Sequence, residues 1–212
     1  MIKKVVAVGP ESTGKSTLCD QLAGHYATAW VPEYAREYLL KQGPQYNYDD
    51  LLVIAQRQIA QEDQYATTLE QNKKETTLLF VDTDLYVMKV WCEYVFGKCH
   101  TWILDQIATR PYDLYLLCDT DLPWTKDPLR EYPDLESRWE LYHIYKDLML
   151  NQPVPWINIS GDYEQRFQTA VKGVEELLKI SACHSFATFV CSICLVLSRG
   201  IINCYFILPG SW

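Results

Sequence analysis

The sequence lacks any excess of basic charge, and this limits the partners that it can bind. Its 212 residues include 27 acidic and 19 basic side chains, which give a formal net charge of −8. Lysines and arginines form no basic stripe along the chain. Nucleic-acid binding depends on such stripes, because cations must neutralise the phosphate backbone. We therefore expect no nucleic-acid partner, whereas a single nucleotide, held by backbone groups and a few cations, is compatible with this composition.

Secretion signals and a disulfide framework are also missing. The chain opens with Met1-Ile2-Lys3-Lys4 and runs straight into an apolar segment, without a signal peptide. Its eight cysteines are scattered and show no spacing typical of small secreted proteins. We expect reduced thiols and a cytoplasmic location.

Charge is almost absent from the end of the chain. All 27 acidic residues precede residue 181, and Arg199 is the one charged residue between Ser181 and Trp212. This change predicts a main domain over residues 1–180 and an apolar, cysteine-rich tail over residues 181–212. A membrane anchor is disfavoured, because Arg199 interrupts the run of ~20 apolar residues that a spanning helix needs.

Other interpretations of the tail stay open. It could be a loosely packed or disordered extension, or an out-of-frame or non-coding end. A zinc site is a weaker alternative, since the available side chains match no common zinc spacing. Those side chains are Cys183, His184, Cys191, Cys194 and Cys204.

The strongest motif lies near the start of the chain. The segment Lys3-Lys4-Val5-Val6-Ala7-Val8, which is apolar from Val5 onward, leads into Gly9-Pro10-Glu11-Ser12-Thr13-Gly14-Lys15-Ser16-Thr17. This segment matches G-x-x-x-x-G-K-[ST], the phosphate-binding P-loop, and we expect all nine residues to contact a nucleotide. Gly9 and Gly14 let the backbone curl around phosphate oxygens, and the following helix presents its positive end to them. Lys15 is expected to reach the outer phosphates, and Ser16 to offer its hydroxyl to Mg²⁺.

Apolar runs and helical patterns alternate beyond the P-loop. Further strands are predicted at 27–31, 77–81, 113–118 and 154–159. Helices are predicted at 33–40, 50–73, 85–96, 101–108 and 135–150, and a last helix follows residue 162. Asp49, Asp134 and Asp162 are the predicted N-caps of the helices that follow them. The alternation predicts an α/β fold of the P-loop NTPase type, with a five-stranded parallel sheet and helices on both faces.

Acidic side chains follow two of these strands, at the edge where parallel sheets bind ligands. Asp82 ends an apolar run, where P-loop proteins hold Mg²⁺ directly or through water; a helix N-cap is its alternative role. Glu33 and Asp84 are candidates for binding an acceptor and orienting its hydroxyl or taking its proton. For Glu33 the alternative is a favourable charge at the start of its own helix. Arg36 is expected in the same pocket.

The motifs of a GTPase are missing, whereas those of a small-molecule kinase are present. Asp82-Thr83-Asp84-Leu85 replaces the usual D-x-x-G, and the nearest match to N-K-x-D, at residues 72–75, precedes it in the wrong order. Phosphoryl transfer to a hydroxyl needs mobile cations over the phosphates. Residues 124–130 are predicted to form a lid, in which Arg130, aided by Lys126, closes over the transferring phosphate. The alternative for Arg130 is an ordinary solvated arginine.

Four segments together resemble a known family. They are Gly9 to Thr17, Glu33-Tyr34-Ala35-Arg36-Glu37-Tyr38, Asp82-Thr83-Asp84 and Trp124-x-x-Asp127-x-Leu129-Arg130. Over about residues 3–179 the chain resembles the ribosylnicotinamide kinase domain of NadR-type proteins. The resemblance implies a P-loop kinase fold related to thymidylate and deoxynucleoside kinases. It also implies ATP-dependent phosphorylation of the 5′-hydroxyl of nicotinamide riboside, giving nicotinamide mononucleotide.

The chain departs from the family pattern at two points. NadR-type proteins usually carry an adenylyltransferase domain with an H-x-G-H motif before the kinase. This chain begins at the kinase and has no such motif, so we expect it not to make the dinucleotide itself. In the lid, Pro128 stands where a glycine is expected, which stiffens closure.

The acceptor pocket is assigned to four residues. Glu33, Tyr34, Arg36 and Asp84 are the predicted substrate-binding residues, with Tyr34 stacked on the pyridine ring. Alternatives to this activity are a related nucleoside or nucleotide kinase, and a nucleotide-binding regulatory ATPase or scaffold. Nothing in the sequence indicates an oligomeric state.

Overall fold

The computed structural model describes residues 2–71 and 77–179. The chain divides between Val174 and Glu175 into two units, and the site described below belongs to the first. The predicted boundary near residue 180, the tail over 181–212 and its cysteines and histidine lie outside the described residues. So does the end of the helix that was predicted to reach residue 73.

Strands and helices alternate through the described part of the chain. The strands are β1 (Ile2–Val8), β2 (Ala29–Val31), β3 (Thr77–Asp82), β4 (Leu114–Cys118) and β5 (Trp156–Ile159). The helices are α1 (Lys15–His25), α2 (Tyr34–Gln42), α3 (Tyr48–Gln71), α4 (Leu85–Phe96), α5 (Thr101–Thr109), α6 (Leu135–Asn151) and α7 (163–179). All five strands pair in parallel in the order β2-β3-β1-β4-β5. The predicted α/β fold with a five-stranded parallel sheet is confirmed.

Helices cover both faces of the sheet. On one face Val6 of β1 packs in a buried cluster with Val87 of α4 and Leu141 of α6. On the other face Tyr26, at the end of α1, lies beside Phe80 of β3, with ring centroids 5.9 Å apart. Side chains on both faces of the inner strands are therefore buried, and this explains why β3 is a continuous apolar run instead of an alternating one.

Local backbone chemistry shifts two predicted boundaries. Ala27 adopts a left-handed φ of 49°, so the second strand begins at Ala29 instead of residue 27. The predicted N-cap at Asp49 is wrong. Asn47 caps α3, because its side-chain oxygen accepts from the backbone N–H groups of Asp49 (2.9 Å) and Asp50 (3.3 Å).

The other two predicted caps are confirmed. The carboxylate of Asp134 accepts from the backbone N–H of Ser137 at 2.7 Å, and that of Asp162 accepts from Gln165 at 2.9 Å. No helix within the described ranges is long and apolar enough to cross a membrane.

Candidate nucleotide and acceptor site

The P-loop joins β1 to α1 and needs glycine at both of its fixed positions. Gly9 has a φ of 134°, and a Cβ atom there would lie 2.6 Å from the carbonyl oxygen of Cys118 in the neighbouring strand β4. Gly14 forms the N-cap of α1 with a left-handed φ of 79°. Side chains other than hydrogen would clash at the first position and strain the backbone at the second.

The ammonium group of Lys15 lies within this loop. Its Nζ donates to the carbonyl oxygens of Gly9 (2.9 Å) and Pro10 (2.8 Å). The Thr13 hydroxyl donates to the same Pro10 carbonyl at 2.7 Å. The loop is thus closed by its own side chains around a cation, which is the charge that a phosphate group requires.

Asp82 and Ser16 meet at the end of β3. The Ser16 hydroxyl donates to Oδ2 of Asp82 at 2.5 Å. Burial raises the pKa of Asp82, while the Lys15 charge and the hydrogen bond from Ser16 act in the opposite direction. Asp82 lies in the strand itself and α4 is capped by Asp84, so the alternative role of Asp82 as a helix cap is wrong.

The donor set of this pair suits Mg²⁺. A hydroxyl and a carboxylate supply the hard oxygen ligands that Mg²⁺ prefers, and the ion usually takes its remaining ligands from phosphates and water. Within residues 2–71 and 77–179 no group of three or more histidine, cysteine, aspartate or glutamate side chains could hold a metal. Ser16 and Asp82 supply two oxygen ligands, and this pair fits a Mg²⁺ ion that also binds nucleotide phosphates.

The P-loop opens into a cleft of about 590 Å³. All nine P-loop residues line it, together with Glu33, Arg36, Asp82 and Arg130. This volume lies within the range of roughly 300–1,000 Å³ that is typical of small-molecule sites. Aromatic side chains form much of the remaining wall: Trp30, Trp91, Tyr94, Tyr132 and Tyr145.

Glu33 reaches this cleft from the N-terminus of α2. It occupies the N-cap position with an extended backbone, but its side chain makes no capping hydrogen bond. Burial and the nearby Asp82 carboxylate raise the pKa of Glu33 to about 7, against the opposing charges of Lys15 and Arg36. Glu33 is therefore a cleft carboxyl group that can exchange a proton near neutral pH.

The structure does not bring Asp84 or Tyr34 to the cleft, and both predictions of direct contact need correction. Asp84 is 1% exposed and caps α4, accepting from the backbone N–H groups of Tyr86 (3.0 Å) and Val87 (3.3 Å). Its other oxygen accepts from the Tyr115 hydroxyl at 3.0 Å. Both carboxylate oxygens are thus engaged inside the protein.

Tyr34 also lies away from the cleft, because it is held by contacts with α3 and with Tyr38. Its backbone N–H donates to the side chain of Gln58 at 2.7 Å, at the first turn of α2. Its ring lies 6.5 Å from that of Tyr38, beside the cluster formed by α2, α3 and α4. The aromatic wall of the cleft comes from other elements instead.

Residues 124–132, which we call the lid, rest on the P-loop. The Ser12 hydroxyl oxygen accepts from the backbone N–H of Thr125 (3.0 Å) and from Nη1 of Arg130 (3.2 Å). The Glu11 carboxylate accepts from the backbone N–H of Glu131 at 3.0 and 3.1 Å. Arg130 lines the cleft, whereas Lys126, predicted to assist it, does not.

A further ion pair joins the lid to α2. Nη2 of Arg36 donates to the Asp127 carboxylate at 2.7 Å, and both residues line the cleft. The lid therefore contacts both the P-loop and α2.

Sequence reasoning missed Arg166, which supports the P-loop from behind. Its guanidinium is 3% exposed and donates to the carbonyl oxygens of Thr13 (3.0 Å), Asp119 (3.0 Å) and Gly161 (2.8 Å). It also pairs with the Asp121 carboxylate. Thr13 is 153 positions away in the sequence, and no local pattern signals such a contact.

The sheet order, the P-loop and the Ser16–Asp82 pair define a P-loop NTPase fold that binds a nucleotide. A family model described as an AAA domain matches residues 4–166, and the chain belongs to that family.

Within this class, the chain is similar to proteins named "Trifunctional NAD biosynthesis/regulator protein NadR". It is 26% identical to the protein of Salmonella typhimurium (strain LT2) over 184 residues and 28% identical to that of Escherichia coli (strain K12) over 182 residues. Each alignment covers 84% of this chain and 43% of the relative, so the chain spans less than half the length of these proteins. The predicted resemblance to NadR-type proteins is confirmed.

Solved structures agree on the fold. A NadR protein in complex with NR superposes with a TM-score of 0.66 at 23% identity, and a NadR protein in complex with NAD and AMP-PNP superposes with 0.59 at 24% identity. Each match covers 82% of this chain and 49% of the other.

Proposed function

We propose that this protein transfers the γ-phosphoryl group of ATP to the 5′-hydroxyl of nicotinamide riboside. One observation carries the proposal: the P-loop, the Glu33 carboxyl group and Arg130 of the lid line one cleft. A kinase needs its phosphate-binding loop, its acceptor-binding groups and its mobile cations in a single cavity. A binding scaffold has no need of this combination.

The roles of these side chains follow from their charges. Lys15 and Arg130 would stabilise the charge on the phosphoryl oxygens. Glu33, whose pKa is about 7, would orient the acceptor hydroxyl and take its proton as the oxygen attacks the γ-phosphorus. The new P–O bond forms as the bond to the β-phosphate oxygen breaks, and ADP leaves. Mg²⁺ held by Ser16 and Asp82 would neutralise charge on the phosphates when it is bound.

The acceptor is assigned from the remaining walls of the cleft. Nicotinamide riboside carries a positively charged aromatic ring, which binds well to aromatic faces and to nearby carboxylates. The cleft offers aromatic side chains such as Trp91 and Tyr145, and acidic ones such as Glu11 and Glu131. The relatives named for NAD biosynthesis, and the neighbour solved with NR, support the same choice.

A panel assay tests this proposal. The full chain is incubated with Mg-ATP and each of nicotinamide riboside, the common ribonucleosides and deoxyribonucleosides, and ADP and the phosphorylated product are both measured. We expect the highest kcat/KM with nicotinamide riboside, and 5′-phosphorylation as the product. Preference for another nucleoside would reassign the acceptor within the kinase class. ADP release without any phosphorylated nucleoside would point to an ATPase and reject the kinase.

A further inference from the structure

The aromatic side of the cleft that includes Trp91 and Tyr145 is called the acceptor wall here. A chain of three hydrogen bonds connects this wall to the P-loop. Nε1 of Trp91, on α4, donates to the Tyr46 hydroxyl at 2.8 Å. That hydroxyl donates to Oε2 of Glu131, in the lid, at 2.9 Å. The backbone N–H of Glu131 in turn donates to the Glu11 carboxylate.

The direction of this chain is set by chemistry. An indole N–H can only donate, and an ionised carboxylate can only accept, whereas a phenol hydroxyl does both. Tyr46 is therefore the member that joins the other two, because a side chain without its hydroxyl would remove this acceptor from Trp91 and this donor from Glu131. Its ring also packs edge-on against Trp91, with centroids 4.8 Å apart.

Tyr46 acts from outside the cleft. Trp91, Glu131 and Glu11 all line the cleft, but Tyr46 does not. It precedes α3 and is half-buried behind Trp91. A residue in this place touches neither substrate, yet it fixes the ring plane of a cleft wall and the position of a lid residue together.

We propose that Tyr46 is a positioning residue that couples the acceptor wall to the lid. With the Tyr46 hydroxyl in place, the orientation of the Trp91 ring that binds the acceptor also favours one position of the lid. In that position the backbone N–H of Glu131 contacts the Glu11 carboxylate. A lid in that position in turn favours that orientation of Trp91, because linkage between two sites is reciprocal. The identity of the acceptor rests on the proposed function, whereas the coupling rests on the hydrogen bonds.

The substitution Tyr46→Phe removes the hydroxyl and keeps the ring. A single hydrogen bond of this kind contributes modestly, so we expect the KM for nicotinamide riboside to rise about three- to tenfold. The KM for ATP should change less than about twofold, because the P-loop contacts of the lid through Ser12 remain. The matched control is Tyr38→Phe. Tyr38 does not line the cleft, and its hydroxyl donates to Asp50 at 2.6 Å. Equal effects of the two substitutions would overturn the proposal.

A double-mutant cycle separates coupling from two independent losses. Glu131→Ala removes the carboxylate that Tyr46 contacts and keeps the backbone N–H that binds Glu11. If Tyr46 acts through Glu131, the acceptor KM of the double variant should be close to that of the single variant with the higher KM. The two effects are then not additive. Additive effects would show that the two residues act separately and would reject the coupling.

Hydrogen exchange provides a readout that does not need the kinase reaction. In the full chain without substrates, Tyr46→Phe should speed amide exchange in residues 124–132 at least about twofold over both wild type and Tyr38→Phe. Faster exchange in a protein that phosphorylates no nucleoside would keep the coupling and reject the proposed function. Unchanged exchange and unchanged acceptor KM in an active kinase would reject the coupling and keep the function.

Discussion

Lys15, Asp82 and Glu33 are three of the ionisable side chains around the P-loop, and their charges are linked. The two carboxyl groups are pushed towards their protonated forms by burial, and Lys15 opposes that effect at both. One ammonium group therefore attracts phosphate and also keeps the neighbouring acids closer to ionisation. Loss of this cation should affect nucleotide binding and proton transfer together.

The first prediction is that Lys15→Ala lowers kcat about 100- to 1,000-fold, since removing one preorganised donor from developing charge has an effect of this size. Turnover with saturating Mg-ATP and nicotinamide riboside is the measurement. Lys126→Ala is the matched control, because this lid lysine does not line the cleft. Near-normal turnover of Lys15→Ala would reject phosphoryl transfer at this loop.

The second prediction concerns Glu33 and pH. A general base must be ionised, so wild-type kcat/KM should rise with pH and level off above a pKa of about 7. Glu33→Gln should lower turnover about 100- to 10,000-fold and abolish this acid limb, while ATP affinity stays nearly unchanged. The measurement is a pH–rate profile of both proteins, with ATP affinity determined by calorimetry. A Glu33→Gln profile that keeps its limb would move the base to another residue.

At the scale of whole elements, α4 carries the link between the fold and the acceptor wall. Its N-terminus is held by Asp84, and further along it presents Val87, Trp91 and Tyr94 to the cleft. Asp84 thus acts on the cleft only through the placement of this helix. In the Asp-Thr-Asp sequence, Asp82 is the proposed Mg²⁺ ligand and Asp84, two residues later, is the helix cap.

The third prediction follows from this cap. Asp84→Ala should lower the free energy of unfolding by about 1–3 kcal/mol, because two helix N–H groups and the Tyr115 hydroxyl lose their acceptor. Asp84→Asn keeps one acceptor oxygen and should be less damaging. Urea denaturation of the three proteins at one pH is the measurement. Equal stability of Asp84→Ala and wild type would contradict the capping role.

The same residue has a defined pH signature. Burial raises the pKa of Asp84 from 3.8 to about 7, although its three hydrogen bonds oppose this shift. The folded protein then holds this proton more tightly than the unfolded chain, so its contribution to stability is fully present below pH 3.8 and is lost as pH rises to about 7. Asp84→Asn should remove this part of the pH dependence of unfolding.

Periodicity and turn chemistry predicted the order of the elements, and α4 was predicted with its observed bounds of Leu85 and Phe96. Local signals failed where a neighbouring residue competed for the same role. Asn47 took the cap expected of Asp49 because its side chain could reach two N–H groups. Both are good capping residues, and the sequence alone does not rank them.

The candidate site was predictable only as far as its motifs extend. The P-loop, Glu33, Arg36, Asp82 and Arg130 follow strand ends or a motif, and they do meet in one cleft. The prediction that Asp84 lies in the cleft was wrong because its buried hydrogen-bond donor, Tyr115, lies 31 residues away in the sequence. Tyr46 and Arg166 were missed because contacts between segments that are far apart in the sequence leave no periodic signal.

At the scale of the whole molecule, the central position of β1 determines where the site forms. β1 lies between β3 and β4, so the P-loop leaves the sheet beside Asp82 on one side and Cys118 on the other. Parallel sheets bind ligands at this edge, where the order of strands reverses. The proposed acceptor side of the cleft is then lined by α2, α4 and the lid, while β4 and β5 lie on the other side of β1.

The fourth prediction concerns the length of chain that this architecture needs. A protein ending at Ile180 contains β1 to β5 and α1 to α7, and we expect it to fold and to bind ATP with unchanged affinity. Circular dichroism and calorimetry compare it with the full chain. Loss of folding would show that residues 181–212 contribute to the core and that the boundary near residue 180 is wrong.

The contacts of Arg166 determine when the nucleotide site is completed during protein synthesis. The P-loop is among the first segments to leave the ribosome, yet the guanidinium that holds its Thr13 carbonyl belongs to α7. The same group must also find the carbonyls of Asp119 and Gly161, which are made much later than the loop. A nascent chain that carries the whole phosphate-binding motif is therefore still without the support of that motif. Tight nucleotide binding should begin only when residue 166 has emerged, so that almost the entire domain is made before it can bind a nucleotide tightly.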